Sequence, residues 1–207
     1  MLFLASTISQ TIDVFINVAN ISPDKTKVLY IPTAGDFVTP RPDLTDHDSY
    51  TCLIDRNFKV IPCELDKEDK KTIKEKIDKT KIIVMGGGNT YFLLHHINQS
   101  GFRDMINKFL ENGGIYVGSS AGSCICSPDI SYVKDQDDPK MAPDLKNTKG
   151  LGLIDFDIYP HCIEPWYENF YPTSYLIDSH KDEKKKVYLR DHQAVVVKDG
   201  WIKLINS

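Results

Sequence analysis

The chain lacks long apolar runs. It opens MLFLASTISQ, five apolar residues in a row before polar ones interrupt. Such a run is too short to cross a bilayer and has no basic flank of the kind a secretory signal carries, so a cytoplasmic protein is expected. Cysteine is sparse: Cys52, Cys63, Cys124, Cys126 and Cys162 are the five, and no two are spaced C-x-x-C. An odd count without that pairing argues against a disulfide framework and against a zinc ribbon. Reduced thiols fit a reducing compartment. Positive charge is not in surplus, since the formal net charge is -4. With no basic stripe interleaved with aromatics, neither nucleic acid nor membrane is an expected partner. Histidine is limited to six residues, which narrows the candidates for acid-base chemistry. Internal repeats and low-complexity tracts are absent.

What is present reads as one α/β domain over residues 1–207. Hydrophobic residues make up 41% of the chain, ordinary for a globular protein that buries a core. Short apolar runs alternate with helix-patterned segments. Met1 to Leu4, KVLYI (Lys27 to Ile31), FKVIPC (Phe58 to Cys63), KIIVM (Lys81 to Met85) and IYV (Ile115 to Val117) read as strands. Helical spacing appears from Ile8, over Asp48 to Arg56, in the charged stretch Lys67 to Thr80, in YFLLHHI and from Phe102 to Leu110. The charged stretch carries only Ile73 and Ile77 as apolar residues, and reads as a solvated surface helix. Strands alternating with helices imply a mostly parallel sheet with helices on both faces. TAGDFVTPRPD reads as a loop, and the chain after Pro128 as an irregular surface excursion. Near the end, two apolar runs flank Lys198-Asp199-Gly200, a turn signal for an antiparallel C-terminal hairpin.

One strand runs into Gly118-Ser119-Ser120-Ala121-Gly122, which matches G-x-S-x-G. A sharp strand-to-helix turn crowds its neighbours, so these must be small, and the central Ser120 is lifted above the sheet edge. SCIC would continue the turn as a helix up to Pro128. The N–H of Ala121 would help hold a developing oxyanion. The preceding strand ends in Gly86-Gly87-Gly88-Asn89-Thr90, and in a parallel sheet such ends share one rim. Gly87 or Gly88 would supply a second oxyanion donor. The structural alternative is a tight turn before a helix capped by Asn89 or Thr90.

A serine needs a base, and the base an orienting group. His161 follows FDIYP at the end of an apolar run and is the leading base, with His180 and His192 in reserve. Asp191 stands where a new strand begins and would accept the histidine N–H. Asp155, Asp157 and Glu164 compete for that role.

GGGNT, GSSAGS, GLGL, D-x-x-P-H and an acidic residue before an apolar strand occur here in that order. This order, from about Lys27 to Leu204, resembles the dipeptidase E-like serine peptidases, a family that includes aspartyl dipeptidases and has cyanophycinases as relatives. The resemblance implies a flavodoxin-like or class I glutamine amidotransferase-like three-layer sandwich. It implies Ser120 as nucleophile, His161 as base, Asp191 as acid, and Gly88 and Ala121 at the oxyanion positions. It also implies a small peptide as substrate, Asp-Xaa dipeptides among the candidates, with no cofactor and no metal. Ser119 and the Cys124 and Cys126 region depart from the family pattern. The cationic groups that would select aspartate do not map clearly, Arg41 and Arg190 being the candidates. The quaternary state is left open, a homodimer included. Two other readings compete: a class I amidotransferase-like amidase, and a catalytically silent ligand-binding homologue. Metal catalysis fares worst, because His95-His96 and Asp191-His192 are adjacent in sequence and diverge.

Overall fold

A computed structural model describes residues 1–37, 42–162 and 185–207. Seven strands form one sheet in the order β3-β2-β4-β5-β1-β8-β9. These are β1 (Leu2–Ala5), β2 (Lys27–Ile31), β3 (Lys59–Pro62), β4 (Ile82–Met85), β5 (Ile115–Ser119), β8 (Gln193–Lys198) and β9 (Trp201–Asn206). The first five are mutually parallel; β8 pairs antiparallel with β1, and β9 antiparallel with β8. The C-terminal hairpin turns at Asp199 and Gly200, both at positive φ as a tight hairpin turn requires.

Alternate residues of each central strand feed opposite faces of the sheet. Leu4, Leu29, Ile31, Ile83, Met85 and Tyr116 bury into one core, together with Ile73, Leu94, Phe102 and Ile106. Those partners come from α3 (Lys70–Ile77), α4 (Thr90–Ser100) and α5 (Phe102–Glu111). Phe3, Val28, Tyr30, Val84 and Val117 bury into the other core against Ile8, Ile12, Phe15 and Leu53. These belong to α1 (Ile8–Ala19) and α2 (Asp48–Asp55). The near-continuous apolar composition of the strands therefore follows from burial on two faces. The result is the three-layer sandwich expected from the sequence. Among the described residues, no helix is long and apolar enough to cross a membrane.

One local reading changes and two gain detail. The segment after the serine turn is helical only as α6 (Ala121–Cys124) and then continues as turns. The loop after Ile31 begins with a 3-10 turn over Thr33–Gly35. The FDIYP run does form a strand, β6 (Asp157–Tyr159), but it pairs with β7 (Lys186–Tyr188) in a separate two-stranded parallel sheet, not with the main one.

Candidate active site

The C-terminal ends of β4, β5 and β1 lie side by side. Met85 registers against Gly118, and Ala5 against Ser119. Ser120 follows at φ 52°, ψ -114°, a conformation that non-glycine residues rarely adopt. Packing around the turn holds it there. The Ser120 N–H donates to the Ala5 and Ser6 carbonyls at 3.2 and 3.0 Å, and Ser123 Oγ donates to the Ala5 carbonyl at 2.7 Å. Gly122 sits so close to β4 that an added Cβ would stand 2.2 Å from the Met85 carbonyl oxygen. This is the physical reason for small residues around the serine. Ser119, one of these small neighbours, also has a bond of its own: its Oγ accepts the N–H of Ile8 at 3.1 Å, at the start of α1.

His161 arrives from the short strand β6, past Pro160, at φ 59°. Its Nε2 lies 2.9 Å from Ser120 Oγ, and its Nδ1 lies 2.5 Å from Asp191 Oδ1. A carboxylate oxygen can only accept, so Nδ1 carries the proton and Nε2 is left to accept from the serine hydroxyl. Asp191 is 5% exposed, in the turn before β8. The structure thus brings Ser120, His161 and Asp191 into one hydrogen-bonded line. The competing acids stand elsewhere: Asp155 is exposed and pairs with Lys185 at 2.6 Å, and Asp157 is buried within β6. His192 is half-buried beside Asp191 in sequence. Glu164, His180 and Arg41 lie outside the described residues. Arg190 is exposed, and its backbone N–H donates to Gln193 Oε1.

The glycine run divides its tasks. A Cβ on Gly87 would stand 3.2 Å from Ser120 Cβ, so this residue faces the serine. Gly88 has φ 137°, and a Cβ there would meet the Ala34 carbonyl oxygen at 2.0 Å. Its backbone is pressed against the turn that follows β2, where no other residue fits. Asn89 caps α4, accepting the Phe92 N–H at 2.9 Å, so the capping reading of this turn holds as well. The N–H of Ala121 opens α6 and has no partner within that helix.

Among the described residues, Ser6 of the site and Asp137 near His161 escaped the sequence reading. Ser6, just past β1, is fully buried; its Oγ accepts the backbone N–H of His161 at 2.8 Å and donates to Asp191 Oδ1 at 3.0 Å. Asp137, from the irregular excursion, accepts the Thr90 N–H at 2.7 Å. Burial raises its pKa, against the Thr90 hydrogen bonds and the nearby His161, which favour the charged form. A serine at the end of a strand neighbouring β5 was a usable signal, because strand ends on that rim build sites. Asp137 offered none.

Ser120 and His161 open onto a cleft of roughly 260 Å³, lined also by Thr7, Tyr30, His47 and Gly87. A larger groove of about 540 Å³ between α3 and α5 is lined by lysines, Met105 and Phe109 and holds no nucleophile-base pair. All five cysteines are buried. Burial pushes the thiols of Cys126 and Cys162 up to about 12, far from the reactive thiolate range.

Comparison with known proteins gives the family. Residues 3–205 match peptidase family S51. An uncharacterized peptidase of Pasteurella multocida is 30% identical over 199 residues, 95% of this chain and 92% of its own. A second, from Listeria innocua, is 28% identical and covered over 97% of its length. The crystal structure of a provisionally named peptidase E protein from Listeria monocytogenes superposes with a TM-score of 0.86 at 25% identity, over 100% of this chain and 98% of that one. With the match running through nearly the whole length and the serine turn within it, the chain belongs to peptidase family S51 and is a serine peptidase, a hydrolase.

Proposed function

We propose that the protein hydrolyses small peptides through a Ser120-His161-Asp191 triad. The observation that carries this reading is the unbroken line from Ser120 Oγ to His161 Nε2 at 2.9 Å and from Nδ1 to Asp191 at 2.5 Å. Ser120 attacks the peptide carbonyl while His161 takes its proton, then returns it to the leaving amine. The N–H groups of Gly88 and Ala121 are the proposed oxyanion donors, each such donor being worth about 2.7–4 kcal/mol in comparable sites. The peptide unit joining Gly87 to Gly88 supports this, since Gly87 faces the serine.

Asp-Xaa dipeptides are the first candidates, because the family that the motifs resemble includes aspartyl dipeptidases. A thiol-dependent amidase is disfavoured by the burial of every cysteine.

The test is a dipeptide panel with varied N-terminal residues, run on wild type and on Ser120→Ala. The expected result is cleavage by wild type and loss of activity in the variant with its fold kept. Cleavage confined to Asp-Xaa would identify an aspartyl dipeptidase. Full activity in Ser120→Ala would overturn the triad.

A further inference from the structure

We propose that Ser6 is a positioning residue that holds the base and the acid in register with the nucleophile, an inference resting on the triad reading above. Ser6 touches all three members. Its carbonyl accepts the Ser120 N–H at 3.0 Å. Its hydroxyl accepts the His161 N–H at 2.8 Å and donates to Asp191 Oδ1 at 3.0 Å. The directions are fixed by chemistry. A hydroxyl has one proton and two lone pairs, and the carboxylate can only accept, so the proton goes to Asp191 and a lone pair remains for the amide of His161.

This matters because neither partner is held by regular structure. His161 lies beyond β6 in a left-handed turn, and Asp191 lies in the turn before β8. Both are joined to β1 by one buried side chain. β1 sits between β5, which carries the nucleophile, and β8. The hydroxyl of Ser6 is therefore a side-chain tie between the strand beside the elbow and the two loops that bring the imidazole and its acid, added to the backbone pairing of β1 with β8. It makes no bond to the hydroxyl of Ser120, so it acts through His161 and Asp191.

The carbonyl bond to Ser120 survives any substitution at Ser6, whereas the two hydroxyl bonds do not. Ser6→Ala thus removes both hydroxyl bonds to the base and the acid while leaving the elbow anchored. The experiment compares wild type, Ser6→Ala, Ser6→Thr and Ser120→Ala. It measures kcat and KM on a dipeptide that wild type cleaves, and the rate at which a fluorophosphonate labels Ser120. Misplacing catalytic groups by about 1 Å costs on the order of a hundredfold, so kcat and labelling rate of Ser6→Ala should fall together by about 10–100-fold with KM nearly constant. Ser6→Thr, which keeps the hydroxyl, should recover most of that loss. If Ser6→Ala fails to fold, Ser6→Cys replaces it, similar in size but a weak hydrogen-bonding group, with the same loss expected. Wild-type kcat and labelling in Ser6→Ala, a loss confined to KM, or a folded Ser6→Thr as slow as Ser6→Ala would each overturn the proposal. Residual full activity in Ser120→Ala would instead overturn the triad itself.

Discussion

Nδ1 of His161 stands 2.5 Å from Oδ1 of Asp191, across 30 residues of chain. The contact decides which nitrogen carries the imidazole proton, and so whether Nε2 can accept from Ser120. Asp191→Asn keeps the shape but reverses the preference. The amide N–H₂ would donate to Nδ1, placing the ring proton on Nε2, where it opposes the serine O–H. The expected outcome is a fall in kcat of about 10⁴-fold with the fold intact. Steady-state kinetics with circular dichroism as a control decides it; a loss below about tenfold would remove Asp191 from the triad.

Packing at the elbow makes a separate prediction. In Gly122→Ala the new methyl would press on a backbone oxygen of β4, and a strand in the middle of the sheet cannot yield easily. Overpacking of this kind costs about 1–3 kcal/mol. For a chain of this size that lowers Tm by roughly 2–4 °C per kcal/mol. Activity should fall too, because the displaced turn carries Ser120. Calorimetry showing an unchanged Tm would mean that the elbow has more room than its packing implies.

The parts of this site that could be read from the sequence are those whose reasons are local. Gly118 to Gly122 announces a tight turn by residue size alone, and β4 and β5 by their unbroken apolar runs. His161 was found through Pro160 and the run before it, although that run builds a two-stranded sheet apart from the main one. Ser6 was missed because its role depends on β1 inserting between β5 and β8, a pairing that joins residues more than a hundred positions apart. Asp137 was missed because nothing in SYVKDQDDPK says which of its acids turns inward. The short α6 is another such case: the apolar Ile125 and Cys126 suit a helix, yet their carbonyls accept N–H groups of Leu151, Leu153 and Ile154 instead.

The cysteines give a direct discrimination between serine and thiol chemistry. All five are buried, and burial pushes the Cys52, Cys63, Cys126 and Cys162 thiols up to about 12. Little thiolate is then present near neutral pH, and alkylation requires the thiolate. Iodoacetamide should leave the activity of the folded enzyme unchanged, while a fluorophosphonate abolishes it. Mass spectrometry should find alkylated cysteine only after unfolding. Rapid loss of activity in parallel with one modified thiol would contradict the serine assignment.

Asp137 makes the prediction about pH. Its folded-state pKa is raised, chiefly by burial, above the ordinary carboxylate value. The folded protein therefore holds this proton more tightly than the unfolded chain does. Ionising the group weakens the fold, and the penalty disappears as pH falls below the unfolded value of about 3.9. Asp137→Asn removes the charge but keeps an amide oxygen to accept the Thr90 N–H. The variant should be more stable than wild type near neutral pH. Its advantage should shrink as pH falls through the raised pKa of Asp137 toward the unfolded value. Tm measured for both proteins between about pH 4 and pH 8 tests this linkage. A variant less stable than wild type at neutral pH, with the deficit closing in acid, would show that the charged carboxylate at the start of α4 gains more from Thr90 and its neighbours than it loses by burial.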